Sequence, residues 1–122
     1  MTQSVNPALL AASRTGEEAA TYGFDWPDAS GPLDKVVEEV AELREAMESG
    51  DANACSEELG DLLFAAANVA RKLGLNPEQT LHDAVAKFEH RFQGVLAEVA
   101  RRGQDPKQLP LDELEAIWQS QK

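Results

Sequence analysis

Glu38-Glu39-Val40-Ala41-Glu42, a turn, and then Glu58-Leu59-Gly60-Asp61 form the stretch on which the reading of this chain turns. Each half sets two carboxylates three residues apart, Glu39 with Glu42 and Glu58 with Asp61. On an α-helix positions i and i+3 share a face. Two helices joined by a short turn lie antiparallel, so the four carboxylates can converge on one point. Like charges brought that close repel, and a cation between them removes the cost. A cluster made only of oxygen donors, with no His or Cys, suits a hard divalent ion such as Mg²⁺ or Mn²⁺. The bland alternative is a solvated acidic face, because acid pairs at this spacing arise readily in a Glu-rich chain.

The chain has 122 residues, the size of a single domain over 1–122. Hydrophobic residues make up 43%, enough for a core. Asp and Glu outnumber Lys and Arg by 22 to 11, and the net charge of −11 argues against nucleic acid and anionic membranes as partners, since both need basic surface. A small phosphate ligand carried in with metal ions is still compatible with that charge. Cys55 is the single cysteine, so no internal disulfide forms, which fits a reducing cytoplasm. No apolar run approaches the ~18 residues of a membrane span, and no basic segment followed by an apolar block opens the chain. A cytoplasmic protein is expected.

Helical periodicity and its punctuation organise the rest. Residues 1–6 read as a loose polar start, with Asn6 as cap of a helix over 7–22. Two glycines and two prolines make 23–32 a loop, in which Phe24 and Trp26 are expected to plug against the helices. A second helix over 32–48 carries the stripe Leu33, Val36, Val40, Leu43, Met47, with Glu39, Glu42 and Lys35 on its shoulder. Asp51 caps a third over 52–73 with the stripe Leu59, Leu62, Leu63, Ala66, Ala70, Leu73, and Glu58, Asp61, Ala65 and Asn68 along one shoulder. Asn68 reads equally as a ligand contact or a surface amide. A fourth helix over 77–102 carries Leu81, Val85, Phe88, Phe92, Val95, Leu96 and Val99. Lys87 and Arg91 form an i,i+4 pair beside that stripe, able to grip phosphate oxygens or to neutralise nearby glutamates, and His90 is expected to point away from them. A short helix over 111–119 ends in Trp118, either a tail anchor or an aromatic for a bound base. The expected fold is all-α, four-helix-bundle-like, with this short C-terminal helix.

Several pieces in this order resemble the MazG family of all-α nucleoside triphosphate pyrophosphohydrolases. They are Phe24-Asp25-Trp26-Pro27-Asp28, Leu33-Asp34-Lys35-Val36, and Glu38-Glu39-x-x-Glu42 followed after fifteen residues by Glu58-x-x-Asp61. Lys87-Phe88-Glu89-x-Arg91-Phe92 and the Ile117-Trp118 ending complete the set, which covers residues 22–119 and looks most like the catalytic second domain of two-domain members. The resemblance implies hydrolysis of a nucleoside triphosphate to the monophosphate and pyrophosphate with Mg²⁺. It implies Glu39, Glu42, Glu58 and Asp61 as metal ligands, and Glu38 as a residue orienting a water or a ligand. It further implies Lys87 and Arg91 as phosphate contacts, Trp118 as a base contact, and Asn68 as a contact to sugar or base. Family members form dimers or dimers of dimers, so a homodimer is expected, and a house-cleaning role in the nucleotide pool follows at family level.

Two rivals frame the test. A non-catalytic acidic interaction module would leave the carboxylates as a solvated face. A di-iron carboxylate bundle would need Glu-x-x-His pairs, and this chain has none.

Overall fold

The computed structural model describes residues 7–122, so the Asn6 cap and the loose start lie outside the described residues. The expected all-α class is borne out: the described residues form five α-helices and one short 3-10 turn, with no strand. They are α1 (Ala8–Thr21), α2 (Ser30–Ser49), α3 (Ala52–Lys72), α4 (Pro77–Arg101) and α5 (Leu111–Ser120). The chain divides into two compact units, one up to Thr80 and one from Leu81.

In the first unit α3 packs against both α1 and α2. The α2–α3 hairpin turns on two residues with separate tasks. Gly50 closes α2 at φ 72°, a left-handed conformation that favours glycine, and Asp51 caps α3 by accepting from the backbone N–H groups of Asn53 (3.0 Å) and Ala54 (3.1 Å). α2 starts earlier than expected, at Ser30, with Pro32 inside its first turn where a missing N–H costs nothing. The first N–H groups of α1 are met by Glu78: Leu9 N and Leu10 N donate to its Oε1 at 2.8 and 3.4 Å. An acid at a helix N-terminus opposes the positive end of the helix dipole.

The expected core stripes of α2 and α3 are only partly inside. Of the stripe of α2, Leu33, Val40 and Met47 are exposed and Val36 and Leu43 half-buried; of that of α3, Leu59, Leu63 and Leu73 are exposed and Leu62 and Ala70 half-buried. The buried positions are Pro32, Glu39 and Ala46 on α2, and Ala65, Ala67 and Asn68 on α3. The polar shoulder is therefore the more deeply packed face, because small residues there let α2 and α3 approach while much of each bulky stripe stays outside. Phe24 corrects a second expectation: at 82% exposure it plugs nothing.

In the second unit Val95 and Val99 of α4 meet Ile117 of α5, with Leu109, Leu114 and Trp118 around them. Val99 is fully buried, a burial that stabilises by roughly 1.5–3 kcal/mol. Asp105 caps the intervening 3-10 turn by accepting from Lys107 N at 3.0 Å. The N-terminal part of the α4 stripe, Leu81, Val85, Phe88 and Phe92, is exposed.

Candidate active site

α2 delivers Lys35, Glu38, Glu39 and Glu42 to one side, and α3 delivers Glu58 and Asp61 to meet them. Two acidic triplets result, Glu38/Glu39/Glu42 and Glu39/Glu58/Asp61, in each of which one oxygen per residue lies within 4.8 Å of the others. Glu39 belongs to both. It is 2% exposed, a position at which a carboxylate must be paired or must ligate. Glu42 and Glu58 are half-buried, while Glu38 and Asp61 are exposed. Lys35 Nζ lies 3.2 Å from both Glu38 Oε1 and Glu39 Oε1. A cavity of about 260 Å³ opens on the cluster, lined by Trp26, Lys35, Glu39, Asp61, Phe64 and Ala65.

The acids of the cluster shift one another's protonation. Glu58 is pushed up to about 7, first by the Glu42 carboxyl, then by Glu39, then by burial. Burial pushes Glu39 up as well, but Lys35 with hydrogen bonds to Glu58 and Glu42 more than reverses it and leaves it below its ordinary value. The Oε2 atoms of Glu39 and Glu58 are both buried without a hydrogen-bond partner. Orphaned carboxylate oxygens cost free energy unless something positive meets them, and oxygen donors from both helices are the donor set for a hard cation. The residues present fit such an ion.

Asn68, one shoulder position further along α3, is neither a surface amide nor free to swing. It is fully buried, its Nδ2 donates to the Phe64 carbonyl at 3.1 Å, and its Oδ1 accepts from Arg71 Nε at 2.8 Å. Arg71 in turn grips Asp25 bidentately, Nη2 to Oδ1 at 2.7 Å and Nη1 to Oδ2 at 3.1 Å, and Lys72 Nζ adds 3.0 Å to Oδ2. Arg71, then Lys72, hold the Asp25 carboxyl well below the usual carboxylate range.

In the second unit Lys87 and Arg91 line a cavity of about 460 Å³ with His90, Gln121 and Lys122. His90 thus shares the cleft it was expected to avoid, since it stands one turn from Lys87 and the C-terminal residues carry the rim round to it. The Arg91 guanidinium lies 3.9 Å from the Trp118 ring centroid, its Nη2 donates to the Trp118 carbonyl at 3.1 Å, and its buried Nε has no partner. Phe88 tilts against the same ring at 4.9 Å. The aromatic expected at a base meets an arginine and a phenylalanine.

Residues 31–96 match the MazG nucleotide pyrophosphohydrolase domain family. This chain belongs to the MazG family. It is 39% identical over 116 residues to the nucleoside triphosphate pyrophosphohydrolase/pyrophosphatase MazG of Thermotoga maritima, covering 95% of this chain and 44% of that protein. To the nucleoside triphosphate pyrophosphohydrolase of Escherichia coli K12 it is 42% identical over 118 residues, 95% of this chain and 45% of that one. The chain thus spans about half the length of the curated relatives it matches. The MazG match takes in all five acidic residues together with Lys35, Lys87 and Arg91.

The sequence places Lys35 on the shoulder of Glu39 and Glu42 without giving it a role, although its spacing of three and four from Glu38 and Glu39 allows the two ion pairs that the structure shows. The Asp25–Arg71–Lys72 cluster had no local signal, because its members stand 46 and 47 residues apart.

Proposed function

We propose that this chain is a divalent-cation-dependent nucleoside triphosphate pyrophosphohydrolase that converts a (d)NTP and water to the (d)NMP and pyrophosphate. The observation that carries the reading is Glu39: a buried carboxylate common to two acidic triplets, with an orphaned oxygen of its own and another on Glu58. Glu39, Glu42, Glu58 and Asp61 are the ligands for Mg²⁺, with Mn²⁺ as a substitute. The ion supplies positive charge to phosphate oxygens and acidifies water.

The chain's own residues do the remainder. Lys35, already in the acidic cluster, provides a fixed cation for a phosphate oxygen. Glu38 is exposed beside it and is placed to orient a water and take its proton as that water attacks the α-phosphorus. The bond to the bridging oxygen then breaks and pyrophosphate leaves. Lys87 and Arg91 contact phosphate oxygens, with Trp118 ordering the Arg91 guanidinium through its ring face and its carbonyl. Asn68 contacts the sugar or the base.

The 122 residues act as one catalytic domain, and a homodimer or dimer of dimers is its working form. The exposed stripes of α2 and α3 support this, since a monomer would leave Leu33, Val37, Val40, Met47, Leu59 and Leu63 in water. No described helix is long and apolar enough to cross a membrane. A cytoplasmic, house-cleaning role on the nucleotide pool, with neither nucleic acid nor membrane as partner, completes the reading.

The test is a nucleotide panel with and without Mg²⁺, followed by phosphorus NMR. Monophosphate and pyrophosphate formed only with metal are expected. Diphosphate and orthophosphate would refute the reaction, and no product with any nucleotide would favour the interaction module.

A further inference from the structure

The two oxygens of Glu39 have different surroundings. Lys35 Nζ lies 3.2 Å from Oε1, while Oε2 is buried without a hydrogen-bond partner. We infer that Lys35 determines which cation the site prefers: by holding Oε1 it leaves Glu39 a single oxygen to give, and so selects a small octahedral ion such as Mg²⁺ over the larger Ca²⁺, an assignment that rests on the divalent-cation reading above.

The two ions ask for different carboxylates. Mg²⁺ demands a compact octahedron of oxygens at about 2.1 Å. Ca²⁺ takes roughly six to eight oxygens at about 2.4 Å, and carboxylates that chelate through both oxygens fill several of those places. A site whose acids give one oxygen each is matched to Mg²⁺, and one whose acids are free to chelate is matched to Ca²⁺. Glu39 weighs most in this choice because it belongs to both acidic triplets. An ammonium at hydrogen-bonding distance from Oε1 opposes a second bond from that carboxylate to the same ion, since two positive charges would then share one oxygen.

Both partners are held where this works. Lys35 stands three and four residues before Glu38 and Glu39 on α2, the spacing that puts side chains on one helix face. Its Nζ is also 3.2 Å from Glu38 Oε1, so two acids of its own helix share the ammonium. Glu39 is 2% exposed, and its carboxylate has no solvent to rotate into. Glu58 Oε2 is likewise buried without a partner, so α2 and α3 each offer one open oxygen to the cation. Lys35 lines the cavity on the cluster together with Glu39 and Asp61, where an entering ion meets all three. Single-oxygen ligation also serves the reaction, because places on the ion that second carboxylate oxygens do not fill are left for water and phosphate oxygens.

The test reads selectivity rather than strength of binding. Removing a positive charge near the acids raises the attraction for every divalent cation alike, and the ratio of the Ca²⁺ and Mg²⁺ dissociation constants cancels that common part. Both constants come from calorimetric titration of the full chain without nucleotide. Lys35→Met and Lys35→Ala place good helix formers at a partly exposed position, and circular dichroism checks that the fold is kept. Each is expected to shift the ratio toward Ca²⁺ by roughly tenfold or more, the scale on which the outer partner of a metal ligand acts. Lys35→Arg keeps a cation at the same spacing and should retain most of the preference for Mg²⁺. Arg44→Met removes a positive charge from an exposed position of the same helix and should leave the ratio unchanged. Infrared spectra give a readout independent of affinity: Ca²⁺-loaded Lys35→Met should gain the carboxylate bands of two-oxygen chelation relative to Ca²⁺-loaded wild type. An unchanged ratio in both Lys35 variants, an equal shift in Arg44→Met, or infrared bands that do not differ overturns the assignment while the metal site stands. A wild-type protein that binds neither ion overturns the cation reading and the role of Lys35 with it.

Discussion

Glu58 is an acid held near 7 by two other acids, and the metal-free protein should betray that strain through pH. Its folded value stands above the ordinary 4.5, so between those limits the native state binds more protons than the unfolded chain. Stability then falls as pH rises through that window. Thermal melts without metal should show Tm dropping from about pH 5 to pH 7.5. Mg²⁺ should restore it at the upper end and do little at the lower, and Glu58→Gln should flatten the dependence. Glu42→Gln and Asp61→Asn should each abolish pyrophosphate release while leaving the circular dichroism spectrum unchanged. Relief of repulsion should hold or raise Tm in the absence of metal. Near-normal turnover of both variants at saturating Mg²⁺ would remove the ligand assignment. At this scale the sequence showed which acids share a helix side. It did not show that Glu39 alone is buried, because burial depends on what stands opposite, and Ala65 is small enough to let α3 come close.

Elements were easiest to read where a side chain acts on its own neighbours. The Asp51 cap was visible as an acid between Gly50 and a helical run, and the structure shows it accepting two N–H groups. Asp51→Ala should cost about 1 kcal/mol in chemical denaturation, the usual worth of such a cap, with KM unaffected. Partners distant in sequence were not readable: Glu78 at the start of α1, and Asp25 against Arg71. α4 and α5 carry the matching prediction for Trp118. If its ring orders the Arg91 guanidinium, Trp118→Ala should raise KM alike for nucleoside triphosphates and methyl triphosphate, because phosphate contacts are common to both. Trp118→Phe, which keeps an aromatic face, should recover most of the loss. A fall in Tm with KM unchanged would make Trp118 a tail anchor only.

For the whole molecule, the exposed stripes on α2 and α3 are the feature that asks for a second copy. Light scattering at micromolar concentration should return twice the chain mass or more, and Leu63→Lys, in the α3 stripe, should shift it to monomer. A wild-type monomer with full activity would contradict the proposal. The sequence by itself determined the helices, the Asp51 cap, the turn that pairs α2 with α3, and the spacing that sets five acids on two facing helices, because each of these depends on residues within a few positions of one another. It also carried the family, since the motifs keep their order along the chain. Tertiary structure decided which face of each helix is inside. Periodicity marks an apolar stripe but cannot say whether that stripe meets its own chain or is left bare. The packed face of α2 and α3 is the one with small residues and carboxylates, because close helix approach is governed by side-chain volume across the contact. The same approach buries Glu39, leaves two oxygens without partners, and turns a spacing pattern into a site that asks for a cation.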